Sequence, residues 1–84
     1  MPTFDEVKNE LAKQIADAMY MEMSEIPEEG LFSSFGLESI TLVRVIEKIN
    51  ETFGISIEMR EVLPHQTLRD SSTVIFNYVS GANS

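Results

Sequence analysis

Residues 35–54 read FGLESITLVRVIEKINETFG, and this stretch decides the fold. Its apolar side chains recur at intervals of three and four, which is the spacing of one face of an α-helix. The pattern predicts a helix from about Ser39 to Phe53, and Gly54 after it is a typical helix stop. The predicted core stripe consists of Leu42, Val45, Ile46, Ile49 and Phe53, with Ile40 and Val43 at its edges.

Ser39 stands at the first turn of this helix, where we expect its hydroxyl to be exposed. Backbone N–H groups at a helix start have no partner within the helix, and they favour a negatively charged group. The sequence near Ser39 offers no residue that could turn it into a catalytic nucleophile. The position therefore favours a serine that receives a phosphate-linked group. A simpler role as a helix cap stays open on this evidence alone.

An earlier helix is predicted to open at Thr3, because Thr3 and Glu6 have the spacing of a capping box. We expect it to end between Tyr20 and Met23, ahead of a Pro-containing break. Its predicted core stripe is Phe4, Val7, Leu11, Ile15, Ala18 and Met19.

A connection from about Ser24 to Leu37 follows the first helix, and it is long for so small a domain. Such a length is typical of a loop with a function. Its glutamates, Glu25, Glu28 and Glu29, are expected to face solvent. Its apolar residues, Ile26, Leu31, Phe32 and Phe35, are expected to dock onto the core.

Beyond Gly54, residues 55–58 alternate in polarity, but an isolated strand could not pair its backbone. We interpret them as an extended linker, followed by a short helix from about Met59 to Leu63. A last helix begins at Thr67 or nearer Asp70. The predicted fold is all-α: a small four-helix bundle of three longer helices and one short helix. The prediction is one domain over residues 1–84, with an ordered core of about 4–80 and a frayed tail over 81–84.

Composition narrows the class of protein. The 84 residues contain 14 acidic and 6 basic side chains, a formal net charge of −8. We therefore expect neither nucleic acid nor an anionic membrane as a partner. The acidity either attracts basic protein surfaces or simply keeps a small protein soluble, which charge alone favours. Cysteine is absent, so any thiol must come from an attached group. No apolar run is long enough to span a bilayer and the N-terminus is polar, which predicts a cytoplasmic protein.

With Ser39 at the start of helix two, the chain resembles acyl carrier proteins and peptidyl carrier domains. The most specific segment is Phe35-Gly36-Leu37-Glu38-Ser39-Ile40, where the family has Leu-Gly-(Leu, Gly, Met or His)-Asp-Ser-(Leu or Ile). Three further segments are similar to the family in the same order, namely Ile26-Pro27-Glu28-Glu29, Phe53-Gly54-Ile55-Ser56-Ile57 and Leu63-Pro64-His65-Gln66-Thr67-Leu68.

The resemblance implies a non-enzymatic carrier. A phosphopantetheinyl transferase would attach 4′-phosphopantetheine from coenzyme A to Ser39, and the thiol of this arm would hold acyl groups as thioesters. Acyltransferases, ketosynthases or other acyl-modifying enzymes would be its partners, and we expect it to act as a monomer. Helix two and the loop before it would form the docking face. The transferase and partner contacts would be Gly36, Leu37, Glu38, Ile40, Val43, Arg44 and Glu47, and no metal site is expected.

Two departures from the family pattern bear on this reading. Glu38 stands where the family usually has Asp, which could change the efficiency of modification if this carboxylate helps to hold the transferase's magnesium. Phe35 is a larger apolar residue than the usual Leu.

The charges of helix two indicate which kind of carrier protein the chain resembles. Its exposed face mixes Arg44 and Lys48 with Glu47 and Glu51. This mixture is more similar to carriers of polyketide or mixed polyketide–peptide pathways than to the strongly acidic carriers of fatty acid synthesis, which stay an alternative. A free-standing carrier and a domain of a larger synthase are both open. An acidic interaction module with the same fold and no arm is the other competing reading.

Overall fold

The computed structural model describes residues 2–81, and within this range the chain is all-α. Four α-helices follow one another: α1 (Phe4–Met19), α2 (Ser39–Phe53), α3 (Met59–Val62) and α4 (Leu68–Val79). Two short 3-10 helices, Met23–Glu25 and Phe32–Phe35, interrupt the connection between α1 and α2. The predicted all-α bundle of three longer helices and one short helix is confirmed. The tail predicted to fray includes residues 82–84, which lie outside the described residues.

Helix α1 begins with the predicted capping box, in which the Glu6 N–H donates to Thr3 Oγ1 at 3.2 Å and the Thr3 N–H donates to Glu6 Oε1 at 2.9 Å. The helix ends at Met19, one residue before the predicted range. Tyr20 takes up a left-handed conformation, with φ of 56°, and the Met21 N–H donates to the carbonyl of Ala16 at 2.9 Å. Such a left-handed residue ends a helix by satisfying its last carbonyls.

The core lies where α1 packs against both α2 and α4. The buried apolar residues of α2 are those predicted, except that Phe53 is half-buried. In α1 the prediction of Ala18 as a core residue is wrong, because Ala18 is exposed. Contact with two neighbouring helices turns a different face inward, and the small residues Ala12 and Ala16 allow close approach. The buried residues of α1 are Val7, Leu11, Ala12, Ile15 and Ala16.

The two ends of α1 contact different parts of the molecule. Near its start, the ring of Phe4 lies edge-on to that of Phe76 in α4, with centroids 6.0 Å apart. Near its end, Met19 Cε lies 3.8 Å from the position that a Cβ on Gly36 would occupy. Gly36 lies just before the start of α2, so the end of α1 lies beside the start of α2. Helices α1 and α2 therefore run antiparallel. Ser39 therefore lies at the end of the bundle away from the Phe4–Phe76 contact.

Residues 55–58 form the predicted extended linker, and Asn50 of α2 holds it in place. The Asn50 side-chain amide donates to the carbonyl of Ile57 at 3.0 Å, and its oxygen accepts from the Ile57 N–H at 2.9 Å. The backbone of Ile57 thereby gains both partners without a sheet, and its side chain is buried.

Helices α3 and α4 are tied by one polar contact, in which the Tyr78 hydroxyl donates to the Glu61 carboxylate. This hydrogen bond lowers the pKa of Glu61 and raises the pKa of Tyr78. Helix α4 starts at Leu68, with Thr67 Oγ1 accepting from the Asp70 N–H at 3.1 Å. The predicted opening at Thr67 is therefore confirmed.

Two consecutive serines of α4, Ser71 and Ser72, are completely buried. Ser71 Oγ donates to the carbonyl of His65, whereas Ser72 Oγ has no hydrogen-bond partner among the described residues. Serine is a weak helix former, so local helix propensity does not explain these two residues. Their tertiary role is to supply small side chains inside the bundle.

Candidate functional site

The approach to α2 is a sharp turn at Gly36. The second 3-10 helix ends there, with φ of 84° and ψ of 13°, a left-handed conformation that a side chain would strain. The Gly36 N–H donates to the carbonyl of Ser33 at 3.2 Å, and the Leu37 N–H donates to that of Phe32 at 3.0 Å. These bonds close the turn and direct the chain into α2 two residues later.

The loop before this turn is attached through Phe32 to the core and to the segment just ahead of α4. Its side chain is fully buried and lies edge-on to the half-buried ring of Phe35, with centroids 6.2 Å apart. Its N–H donates to the carbonyl of Gln66, just ahead of α4, at 2.8 Å. The expectation that Ile26, Phe32 and Phe35 dock onto the core is thus confirmed. Leu31 is the exception, because 57% of it is exposed.

Glu28 makes the second attachment of the loop. Its carboxylate accepts from Lys8 Nζ of α1 at 2.7 Å and pairs with the guanidinium of Arg69 of α4. The backbone N–H of Arg69 also donates to the backbone carbonyl of Glu28 at 3.0 Å. The hydrogen bond from Lys8 holds the pKa of Glu28 below its ordinary value, and the charge of Arg69 acts in the same direction. Glu28 was predicted to face solvent, and its side chain is 35% exposed, but its carboxylate is also ion-paired, which the prediction did not include.

Ser39 is the first residue of α2, and it is exposed as predicted. Its hydroxyl makes no hydrogen bond within residues 2–81. The preceding Glu38 occupies the N-cap position, but its side chain does not cap the helix. A shorter Asp can accept from the N–H groups of the first turn, whereas Glu is not a favoured N-cap residue. Among the described residues, no side chain accepts from the N–H groups of the first turn of α2 beside Ser39.

Apolar and charged side chains surround this position. Ile40 is 73% exposed and Val43 is 36% exposed, so apolar surface faces solvent near Ser39. Arg44 and Glu47, together with Glu38 and Gly36, also lie on the surface. These predicted contact residues therefore share one exposed region at the start of α2.

Leu37 does not belong to that region, because only 4% of it is exposed. The prediction that Leu37 offers an exposed apolar contact is therefore wrong. Leu37 packs in the core next to the Gly36 turn, and Ile40 and Val43 supply the exposed apolar surface. A loop has no helical period that would distinguish an inward residue from an outward one.

The described residues contain no cluster of three or more His, Cys, Asp or Glu side chains suited to a metal ion. His65 is half-buried and lines a groove between α3 and α4 with Glu61, Asp70 and Tyr78. The nearby Ser71 donates to the backbone of His65 and not to its ring. This geometry does not form a nucleophile–base pair. None of the helices in residues 2–81 has the length and apolar character needed to cross a bilayer.

A small helical bundle that presents an exposed serine at the start of its second long helix has the form of a carrier domain. Residues 9–75 match the family model described as the phosphopantetheine attachment site, and the chain belongs to this family. The predicted family and its cofactor, covalently attached 4′-phosphopantetheine, are confirmed. An exposed hydroxyl beside unpaired N–H groups fits the phosphodiester through which this cofactor is attached.

Two individual proteins show the same relationship. The chain is 30% identical over 78 residues to the polyketide synthase PksL of Bacillus subtilis (strain 168), covering 93% of the chain but only 2% of that relative. It is also 30% identical to the HMG-ACPI domain from the CurA module of Lyngbya majuscula, solved by NMR. That match has a TM-score of 0.79 and covers 96% of this chain and 83% of the other.

Proposed function

We propose that the chain is an acyl carrier of polyketide or mixed polyketide–peptide biosynthesis, with 4′-phosphopantetheine attached to Ser39. The observation that carries the proposal is the exposed, unbonded Ser39 hydroxyl at an uncapped helix start, in a chain of the phosphopantetheine attachment family. The similarity to a polyketide synthase and to a carrier domain of the CurA module supports the choice of pathway.

Attachment would transfer the phosphopantetheinyl group of coenzyme A to the hydroxyl of Ser39. A phosphopantetheinyl transferase removes the proton of the Ser39 hydroxyl, and the oxygen attacks the phosphorus that bears pantetheine in coenzyme A. The pyrophosphate bond of coenzyme A breaks, and the nucleotide part leaves with the other phosphate. Ser39 gains a phosphodiester of one negative charge, which the N–H groups and the dipole at the start of α2 stabilise.

The loaded chain is a carrier and not an enzyme in this proposal. The thiol at the end of the arm holds an acyl group as a thioester, and partner enzymes carry out the chemistry. This division of labour accounts for a sequence that has no cysteine of its own. We further propose that it works as a monomer in the cytoplasm, either alone or as part of a longer synthase.

The docking face proposed for the transferase and for acyltransferases or ketosynthases comprises the Gly36 turn and the exposed side of α2. Ile40 and Val43 supply apolar contact, and Glu38, Arg44 and Glu47 supply charge. Apolar anchors beside charged groups are typical of transient interfaces, in which the anchors give affinity and the charges give orientation.

Intact-mass measurement tests the proposal. Incubation with coenzyme A and a broad-specificity phosphopantetheinyl transferase is expected to add the mass of one phosphopantetheine, and fragmentation should locate it on Ser39. The matched control is Ser39→Ala, which should gain nothing. Absence of a gain in the wild-type chain, or an equal gain in Ser39→Ala, would favour the unmodified interaction module instead.

A further inference from the structure

The start of α2 is finished differently from the starts of the other two long helices. In α1 the side chain of Thr3 accepts from the backbone N–H of Glu6, and in α4 the side chain of Thr67 accepts from that of Asp70. Helix α2 follows Glu38, whose side chain makes no capping bond among the described residues. Threonine and aspartate are favoured N-cap residues, whereas glutamate is not. Helix α2 therefore begins without a side-chain cap.

The backbone N–H groups of the first turn of α2 show the same difference. The first helical bond of α2 runs from the N–H of Leu42 to the carbonyl of Glu38 at 2.9 Å. The N–H groups of Ser39, Ile40 and Thr41 donate to no atom within the range 2–81. In α1 and α4 a side-chain oxygen takes one of the corresponding groups, and in α4 a carbonyl of the loop takes another. The start of α2 therefore keeps the larger unmet demand for an acceptor.

Charge at the three helix starts points the same way. The first turn of α1 contains Asp5 and Glu6 and that of α4 contains Asp70, whereas the first turn of α2 contains no acidic residue. An anion near a helix start is stabilising, because the free N–H groups there carry partial positive charge. Helix α2 is thus the long helix to which an added anion would contribute most.

Loading would place such an anion beside these groups. Ser39 is the first residue of α2, so a phosphodiester on its hydroxyl oxygen is joined to the helix backbone by one side-chain carbon. Phosphate groups at helix N-termini accept from backbone N–H groups, and they can order the first turn. The unloaded chain has only the carboxylate of Glu38 nearby, and this carboxylate does not cap the helix.

We propose that the phosphodiester on Ser39 completes α2 as its N-terminal cap, and that Glu38 makes loading a stabilising event by leaving this place unfilled. The inference rests on the proposed function, since it takes Ser39 as the attachment residue. Aspartate, which carrier domains of this family usually have before the serine, has the same charge as glutamate but can itself cap the helix. An aspartate and the phosphodiester would compete for the same N–H groups, so loading would add less.

The proposal has a consequence for the enzymes that handle this chain. The transferase meets a first turn of α2 that opens more often, whereas enzymes that act on the arm meet one that the phosphodiester holds closed. The loaded and unloaded chains therefore differ in the order of the helix start as well as in the presence of the arm.

Thermal melts of the unloaded and loaded chains test the inference, with complete loading checked by intact mass. Loading is expected to raise the Tm of the wild-type chain by about 4–8 °C, the shift that one cap gives in a domain of this size. Glu38→Asp is the decisive variant, because it changes capping and keeps the charge. Its unloaded form is expected to melt at least about 2 °C above the unloaded wild-type chain, and its gain on loading should fall to about half or less.

Thr67→Ala is the matched control, because it removes the cap of α4 and leaves α2 unchanged. It should lower the Tm of the unloaded and loaded forms equally, by about 4–8 °C, and the gain on loading should stay that of the wild-type chain. Thr3→Ala, at the start of α1, replaces it if the chain does not fold. A gain that shrinks in the control as much as in Glu38→Asp would contradict a local effect at α2.

A chain synthesised with phosphoserine at position 39 separates the phosphate from the rest of the arm. It should reproduce most of the gain in Tm, because the proposal assigns the effect to the phosphate. Hydrogen exchange locates the effect. Exchange of the Leu42 N–H should be slowed about fivefold by either modification, the factor that corresponds to one cap. The Ser71 N–H, which donates to the carbonyl of Thr67 in the first turn of α4, is the reference and should not change.

The outcomes separate the two proposals. A wild-type chain that is loaded on Ser39 without a change in Tm, or a Glu38→Asp variant that gains as much as the wild-type chain, would overturn the capping inference and leave the proposed function standing. Phosphoserine without effect would also overturn it, since the gain would then come from the rest of the arm. Failure of the wild-type chain to be loaded at all, or loading of Ser39→Ala, would overturn the proposed function itself.

Discussion

The loop that precedes α2 and the first turns of α2 are neighbours in the chain, but they are built in opposite ways. Glu28 and Phe32 of the loop each find partners on distant elements through burial, ion pairs and backbone hydrogen bonds. Ser39, Ile40 and Arg44 of α2 have exposed side chains that find no such partners in the part of the chain that the structure describes. The comparison teaches that the structure fixes the backbone that leads into α2 and leaves the side chains at the start of α2 exposed.

The largest expected effect is that of Phe32→Ala. Removing a fully buried aromatic ring costs about 3–5 kcal/mol, which is a large part of the stability of a small domain. The free energy of unfolding from urea titration measures it, and Phe32→Leu offers a milder variant if the alanine form does not fold. The control is the exposed neighbour Leu31→Ala, expected to change stability by less than about 0.5 kcal/mol. Equal effects at the two positions would mean that the loop is not anchored through Phe32.

The two buried serines of α4 should respond in opposite directions. Ser72→Ala removes a buried hydroxyl that has no partner among the described residues, and it is expected to raise the free energy of unfolding by about 1 kcal/mol. Ser71→Ala removes the hydrogen bond to the His65 carbonyl and is expected to lower it by about 1 kcal/mol. Urea titration of both variants in one buffer provides the measurement. A loss of stability in Ser72→Ala would show that its hydroxyl has a partner after all.

A smaller, pH-dependent effect is expected at Glu28. Its pKa is lowered in the folded chain by the hydrogen bond from Lys8, so ionised Glu28 stabilises the fold. This contribution is complete above the unfolded-state pKa of about 4.3 and is lost as the pH falls through the lower folded-state pKa. Glu28→Gln should therefore be less stable than the wild-type chain near neutral pH, and the difference should shrink in acid.

Thermal melts of both chains across this pH range measure the effect of Glu28→Gln. Glu29→Gln is the matched control, because Glu29 is mostly exposed and makes only a 3.8 Å contact with Arg69. Its stability curve should run close to that of the wild-type chain at every pH. A constant gap between Glu28→Gln and the wild-type chain down to strongly acidic pH would contradict the ion-paired role of Glu28.

The smallest effect on stability is expected from Ser39→Ala. The hydroxyl makes no hydrogen bond to any residue of the range 2–81 and the residue is exposed, so the free energy of unfolding should change by less than about 0.5 kcal/mol. The same variant should abolish loading completely. A large destabilisation would instead mark Ser39 as a structural cap, and the contrast with the anchored loop would disappear.

The sequence predicted the helices well, because each long helix has a clear three-and-four period of apolar residues. It also placed Ser39 correctly at the start of α2. It failed where position depends on more than one element: Ala18 is exposed and Ala12 and Ala16 are buried because α1 has two neighbours. In the loop it exchanged inward and outward residues, since Leu31 is exposed and Leu37 is buried. A loop without a period carries no signal for this choice.

Polar contacts between distant residues were equally invisible in the sequence. The pairing of Glu28 with Lys8 and Arg69 spans 20 and 41 residues, and a glutamate in a loop looks the same whether it is solvated or paired. Likewise, nothing in the sequence indicated that Asn50 of α2 would hydrogen-bond the backbone of Ile57 in the linker. Within the described residues Arg44 and Lys48 make no ion pair, although Glu47 and Glu51 stand three positions after them, a spacing that would have allowed both pairs.

The contact between Phe4 and Phe76 defines which helix ends lie at which end of the bundle. It brings the beginning of α1 and the last turns of α4 together at one pole, and the 16 residues of α1 place Ser39 about 24 Å away at the other. A fusion partner, a tag or a surface linker joined near either of these helix ends would emerge at the far pole from Ser39. The chain can therefore be immobilised near these helix ends with Ser39 still facing solution.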